Sequence, residues 1–91
     1  MSFDADVWRA QDSDALEQEN PRGGMVSALK RDHLEPGTGR DEILGLLGPP
    51  ELQEGETDYY ELGRTPWGVS YERLALEYAD GELVRAFVTR T

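Results

Sequence analysis

The chain contains one histidine and no cysteine, so its candidates for acid–base or nucleophilic chemistry are few. His33 could act as a general base, but no recognised motif ties a serine, cysteine or carboxylate to it. Ser70 lies in the run Gly-Val-Ser-Tyr-Glu over residues 68–72, which lacks the closing glycine of a nucleophile elbow. We therefore expect no catalytic residue and no enzymatic activity, and we expect His33 to lie half-buried or at a helix end.

Two other patterns resemble ligand sites. The Gly-Thr-Gly run over residues 37–39 stands before a predicted helix, as in phosphate-binding loops, but Glu42 occupies the place of the third glycine. Acids at that helix end would also repel a phosphate. Two spaced pairs of aspartates within residues 4–14 resemble a calcium loop, yet they lack its central glycine and its distant glutamate. The sequence thus predicts no cofactor and no metal site.

Aromatic residues indicate a different kind of chemistry, which is recognition of another protein. Tyrosine and tryptophan are enriched at protein interfaces, but they also fill small cores with a polar tip reaching water. The sequence leaves both roles open. Trp67 is the leading interface candidate because it lies in a Pro/Gly loop, where a large ring has fewer reasons to be buried. The predicted partner-binding residues are Trp67, Tyr59, Tyr60, Tyr71, Phe87 and Trp8.

Charge narrows the classes of partner. Nineteen acids against nine bases give the 91-residue chain a net charge of −10. Nucleic acids and anionic lipid headgroups are therefore unfavourable partners, since affinity for both comes largely from Lys and Arg. No apolar run approaches the roughly 18 residues that span a bilayer, so we expect no membrane insertion. The expected partner is an unidentified protein, with a second copy of the chain as the alternative.

The length allows one small domain, and composition divides the chain near residue 20. Residues 1–20 hold six acids and one base, with few apolar residues after Trp8. We interpret them as an acidic N-terminal arm that is partly ordered at most, in which residues 11–20 are linker or arm. Residues 21–91 are then a single domain.

Two helices are predicted at the start of that domain. The first follows Asn20-Pro21, begins nearer Met25, and presents an apolar stripe that includes His33. The second runs from about Arg40 to Leu47, with acids in its first turn and a stop at Gly48-Pro49-Pro50. About five residues join the two helices, which predicts a helical hairpin.

The second half of the domain is predicted to form β-strands. After an acidic connector over residues 51–56, strands are predicted at 58–62, 74–78 and 83–88, with Asp80-Gly81 as a hairpin turn. The sequence therefore predicts an α+β domain in the order ααβββ. In it, a two-helix hairpin packs on one face of a small, about three-stranded antiparallel sheet.

The last strand has apolar residues on both faces, which leaves its register open. A two-residue turn would pair Leu83 and Phe87 with the Leu74/Leu76 face of the preceding strand. A three-residue turn with Gly81 in a bulge would place Ala86 and its alternating valine neighbours there instead. We favour the second register, because it keeps Arg85 off the core face. Leu83 and Phe87 then need a cover, which could be the Phe3/Trp8 arm or a partner chain.

The stretch from Leu34 to Val88 resembles the SmpA/OmlA family of small bacterial domains, whose wider fold group also contains the β-lactamase inhibitor proteins. The matching motifs are helix caps and turns, and the resemblance extends over roughly 55 of the 91 residues. Two departures are the lack of an N-terminal cysteine for lipid attachment and a glycine, Gly39, at the usual capping threonine. Thr38 could cap the helix one residue earlier, with Asp41 closing the capping box. The matching segments are Gly37–Ile43, residues 46–50, Tyr60–Gly63 and Leu74–Gly81.

The resemblance implies a protein-binding domain without an active site. We therefore expect a non-catalytic interaction module of the bacterial cell envelope if a lipid-anchored segment has been removed, and a cytoplasmic domain otherwise. One alternative is an acidic inhibitor, in which the connector Glu51–Glu61 would occupy the basic active-site mouth of an enzyme. Another is a cytoplasmic homodimeric domain.

Overall fold

The computed structural model describes residues 3–65 and 70–90, which form an α+β domain. A four-stranded antiparallel sheet has the strand order β1-β2-β3-β4 and is accompanied by short helices. The helices are α1 (Ala5–Arg9), α2 (Ser13–Gln18), α3 (Val26–His33) and α4 (Arg40–Leu47), with a 3₁₀ turn at Gly23–Met25. The strands are β1 (Leu52–Glu54), β2 (Thr57–Arg64), β3 (Tyr71–Ala79) and β4 (Glu82–Arg90).

Helix α4 has the predicted bounds, because both of its ends carry local signals. Asp41 and Glu42 lie in the first turn, and Gly48 ends the helix with a φ of 79°. The predicted Thr38 cap is wrong: the Thr38 hydroxyl donates to the Glu35 carbonyl at 2.7 Å, and the N-cap residue is Gly39. The longest described helices have eight residues, and none of the described helices could cross a membrane.

The first twenty residues contain two short capped helices. The side chain of Asp4 accepts hydrogen bonds at the start of α1, and that of Asp12 does so at the start of α2. Trp8 on α1 is fully buried in the hydrophobic core. Residues 11–20, which were expected to be a linker, contain α2 with a buried Leu16. The acids of this segment therefore serve partly as helix caps.

One face of the sheet carries the core. Tyr60 of β2 lies opposite Leu74 of β3, which lies opposite Val88 of β4. Besides Tyr60 and Leu74, the core contains further apolar residues of the helices, of the segments beside them and of the sheet: Trp8, Met25, Val26, Leu29, Leu34, Ile43, Leu47, Leu62, Leu76, Tyr78 and Leu83. The expected three strands were one too few, because Leu52–Glu54 in the acidic connector pairs with β2 as a short edge strand.

The hairpin between β3 and β4 combines the two registers considered from sequence. Ala79 pairs with Glu82 around a two-residue turn, in which Asp80 and Gly81 both have positive φ. The register then shifts at Glu77/Tyr78, so that Ala86 and Val88 face the core side as predicted. The predicted three-residue turn is wrong, since the bulge lies further along β4. The predicted faces of Leu83 and Val84 are also wrong: Leu83 lies opposite Tyr78 and is buried in the core, whereas Val84 is 52% exposed.

The N-terminal segment also closes one side of the sheet. The Arg64 amide donates to the Glu19 carbonyl at 2.8 Å, and the Arg22 amide donates to Leu62 at 3.4 Å. This close approach requires glycine at position 63, where φ is 134° and a Cβ would collide with the backbone of Glu19 and Asn20. The free side of β2 beyond β1 is thus covered by a segment distant in sequence.

Candidate protein-interaction surface

Side chains alternate along a strand, so the face of the sheet opposite the core is also defined by the register. Tyr59 lies opposite Leu52 of β1 and Ala75 of β3, and Ala75 lies opposite Phe87 of β4. We call these four residues the outer row. Tyr59 and Phe87 are half-buried, whereas Ala75 between them is fully buried. The outer row therefore presents two partly exposed rings and a leucine across the whole width of the sheet.

Ion pairs flank the outer row on both sides. Arg73 donates to Glu61 at 2.7 Å on one side, and Arg85 forms an ion pair with Glu77 on the other. The guanidinium of Arg85 also lies 4.6 Å from the centroid of the Phe87 ring. These pairs link neighbouring strands and neutralise the local charge. In a chain of net charge −10, this makes the outer row a locally balanced part of the surface.

Two of the predicted partner-binding residues belong to the core, which corrects the prediction for them. Trp8 and Tyr60 are fully buried, with ring centroids 6.1 Å apart. The Tyr60 hydroxyl donates to the Gly48 carbonyl at 2.7 Å, and the Arg22 guanidinium lies 4.9 Å from the Trp8 ring centroid. Both rings have their contacts inside the chain, so neither faces a partner in this conformation.

Three others lie on or near the surface. Tyr59 and Phe87 belong to the outer row, and Tyr71 at the start of β3 is 39% exposed. By strand alternation Tyr71 points to the same side as Arg73 and Ala75. The remaining candidate, Trp67, lies outside the described residues. The structure thus brings three of the six predicted aromatic residues to one side of the sheet.

A buried polar cluster was missed from sequence. Asp58 on β2 is fully buried and accepts from Arg40 at the start of α4, at 2.6 Å and 3.1 Å. The Arg40 guanidinium also lies 5.3 Å from the centroid of the Tyr78 ring. Asp58 is two residues from Tyr60 and hence shares its face, which is the sequence signal that could have indicated a buried acid in need of a partner.

Burial shapes the protonation of this cluster. The hydrogen bond to Asp58 raises the pKa of Arg40 above its usual value. Burial, followed by the neighbouring Asp58 carboxylate, raises the pKa of Tyr78 to about 12. At neutral pH Tyr78 is therefore uncharged, and Arg40 keeps its charge. This pattern fits an ion pair that holds α4 onto β2.

The acids of the connector are largely used within the chain. Glu51 accepts from the buried Arg22 side chain and from the Glu61 amide, both at 2.8 Å. Glu61 itself pairs with Arg73, and Asp58 pairs with Arg40. This leaves Glu54 and Glu56 exposed at the turn between β1 and β2. The connector therefore offers a basic enzyme fewer charges than its sequence suggests.

Two grooves flank helix α4. One, of about 230 Å³, is lined by His33, Glu42, Ile43, Gly45 and Leu46; the other, of about 480 Å³, lies beside Pro49 and Pro50. His33 is exposed and contacts the Phe3 ring edge-on, with centroids 5.5 Å apart. Across residues 3–65 and 70–90, no group of three or more His, Cys, Asp or Glu residues is arranged to hold a metal ion.

Comparisons with families and with curated proteins identified no relative of this chain. No protein-family model matches the chain, and a search of curated proteins found no match. The resemblance to the SmpA/OmlA family consequently depends on the motif residues alone.

Proposed function

We propose that this chain is a non-catalytic protein-interaction module whose contact surface is the outer row. The observation that carries the proposal is that two half-exposed rings, Tyr59 and Phe87, lie on either side of Ala75 on one sheet face. The charge of that face is balanced by the ion pairs Glu61–Arg73 and Glu77–Arg85. Aromatic residues in a charge-neutral patch have the composition of an interface centre with a polar rim.

The charge distribution supports this location. Within the described residues, seven arginines form ion pairs with seven different acids. Three of these pairs involve β3, and two of those three connect it to β4. Exposed acids outside these pairs lie within or beside α1, α2 and α4, in the loop after α3, and at the hairpin turns. A partner that approaches the outer row therefore meets less repulsion and desolvates fewer isolated charges than one approaching those regions.

The proposal extends to the place where the module works. The motif resemblance to the SmpA/OmlA family supports a role in the bacterial cell envelope, reached through a lipid-anchored segment that precedes this chain. Intact-mass analysis of the protein from membrane and soluble fractions of its own cells tests this part. An acylated cysteine upstream of residue 1 supports the envelope, whereas a soluble form beginning at Met1 or Ser2 overturns it and leaves a cytoplasmic module.

Photo-crosslinking tests the contact surface itself. A photoreactive phenylalanine analogue is placed at Phe87 in the protein expressed in its own cells, and the matched control places it at Val7, which is 45% exposed on α1. We expect discrete adducts above 10.2 kDa from position 87 only. The same adducts at both positions, or none at position 87, would overturn the proposed surface.

A further inference from the structure

The two edge strands of the sheet differ in length and in how much of each is covered. Strand β4 is an edge strand of nine residues, whereas β1 at the opposite edge has three. Within residues 3–65 and 70–90, only the beginning of β4 is covered. The Leu83 amide donates to the Thr38 carbonyl at 2.8 Å, and the Gly37 amide donates to the Leu83 carbonyl at 2.7 Å. Beyond Leu83, no strand or bridge within the described residues pairs with the free side of β4. The open segment is therefore Val84–Arg90.

Open edges usually carry features that prevent pairing with another chain, such as proline or unpaired charges. The open segment contains no proline, and its charged residues are both neutralised within the chain. Arg85 pairs with Glu77, and Arg90 pairs with Glu72 at 3.1 Å. Two valines of the segment remain partly exposed at this edge, with Val84 52% exposed and Val88 41% exposed. The edge is thus able to accept a further strand.

We propose that the occupant of this edge is a second copy of the chain, paired antiparallel through Val84–Arg90. The register follows from the two ends of the open segment. The loop at residues 37–39 covers β4 up to Leu83, so an incoming strand can pair no further than Val84. If the whole of Val84–Arg90 pairs with its copy, the two-fold axis passes through the central residue, Phe87. Ala86 then lies opposite the partner's Val88, and the two Phe87 rings meet at the axis.

Charge favours this antiparallel arrangement over a parallel one. The hairpin end of β4 carries Asp80 and Glu82, which are exposed, whereas its other end carries Arg90. Antiparallel pairing places the acidic hairpin ends of the two copies at opposite ends of the contact, and two-fold symmetry makes the two ends equivalent. Parallel pairing would bring the acids together in a chain that is already at −10. The outer rows of the two copies would also form one continuous row.

The proposed contact between the two copies is short, so we expect a weak dimer. Seven residues extend about 24 Å along the strand, and such a contact buries less than the roughly 1,200 Å² typical of stable complexes. We therefore expect a dimer that dissociates on dilution, with a Kd of roughly 10–100 µM. The inference rests on the proposed function, because Phe87 belongs both to the outer row and to the dimer axis.

Analytical ultracentrifugation of the purified full chain, from about 5 to about 500 µM, tests the pairing. The wild type is expected to shift from monomer to dimer, and Val88→Lys to weaken the dimer at least about tenfold. The control Val7→Lys adds the same charge at a comparably exposed valine and is expected to leave the Kd unchanged. A monomer at every concentration, or equal weakening by both variants, overturns the inference.

Amide hydrogen exchange locates the contact independently. Raising the protein concentration across the dimer Kd should slow exchange in Val84–Arg90 and leave β1 unchanged. Slowed exchange elsewhere without protection of this segment overturns β4 pairing even if a dimer forms. If the chain stays monomeric while the crosslinker at Phe87 captures a different protein, the dimer inference fails and the proposed interaction module stands.

Discussion

Asp58 and Arg40 form a doubly hydrogen-bonded ion pair in which the carboxylate is completely buried and the guanidinium is about one-quarter exposed. The pair joins β2 to the first residue of α4, and it thereby fixes the helix against the core face of the sheet. Such a pair contributes little more to stability than apolar residues of similar size would. Removal of one partner, however, leaves the other charge buried and unpaired. The structure therefore depends on both members being present.

Asp58→Asn should lower the free energy of unfolding by about 2–3 kcal/mol, because Arg40 loses its carboxylate in a desolvated setting. Urea denaturation followed by circular dichroism measures the change. Asp32→Asn is the control, since Asp32 pairs with Arg31 on the surface, and it should leave stability unchanged. Equal effects of the two variants would contradict the role given to burial.

The two core tyrosines should respond oppositely to loss of their hydroxyl groups. Tyr60→Phe removes a 2.7 Å hydrogen bond to Gly48 and should cost about 1 kcal/mol. The buried Tyr78 hydroxyl has no hydrogen-bond partner among the described residues, so Tyr78→Phe should leave stability unchanged or raise it slightly. Urea midpoints of the two variants at pH 7 decide the point, and a larger loss for Tyr78→Phe would show that its hydroxyl is bonded.

Stability should decline in alkaline solution. The pKa of Tyr78 rises from 10.0 in the unfolded chain to about 12 in the fold. Above pH 10 the unfolded state releases this proton while the folded state keeps it, so the free energy of unfolding falls as pH rises toward 12. Urea midpoints at pH 8, 10 and 11 should decrease, and Tyr78→Phe should make the decrease shallower. A flat profile to pH 11 would contradict burial of the hydroxyl.

Trp8 should be essential to the fold, although it lies in the segment that composition marks as an arm. Trp8→Ala removes a fully buried ring and should cost about 3–5 kcal/mol, a large part of the stability of a domain this size. Trp8→Phe should cost less, which keeps the loss measurable in urea. The neighbouring Val7→Ala, at a 45% exposed position, should stay within about 0.5 kcal/mol of wild type. Similar losses at the two positions would show that α1 is not anchored by Trp8.

Local signals explain which elements could be predicted. Helix α4 has acids at its start and Gly48-Pro49-Pro50 at its end, so its bounds followed from the sequence. Strand β1 has no apolar alternation in Leu-Gln-Glu, and it is a strand because β2 pairs with it. Helix α1 has only five residues, too few for a periodic pattern to show that Trp8 points into the core.

The candidate surface was predictable only in part, for a related reason. Alternation shows that Tyr59 and Tyr60 lie on opposite faces, but it does not say which face is buried. That choice depends on helices that pack from distant parts of the chain, and on the Arg40–Asp58 pair across 18 residues. The face of Ala86 was predicted correctly, whereas the bulge that produces it has no local sequence signal.

The unequal edges of the sheet also limit how far copies of this protein can assemble. When an edge strand pairs with its own copy across a two-fold axis, the free backbone N–H and C=O groups of that edge are used on both molecules. No open β4 edge then remains to which a third molecule could add. The opposite edge of the sheet is the three-residue strand β1. Beyond β1, the backbone around Glu19 covers the free side of β2, because the Glu19 carbonyl accepts from the Arg64 amide. In the proposed dimer, assembly through β4 is therefore closed at two chains, which would keep the exposed edge from growing into fibrils.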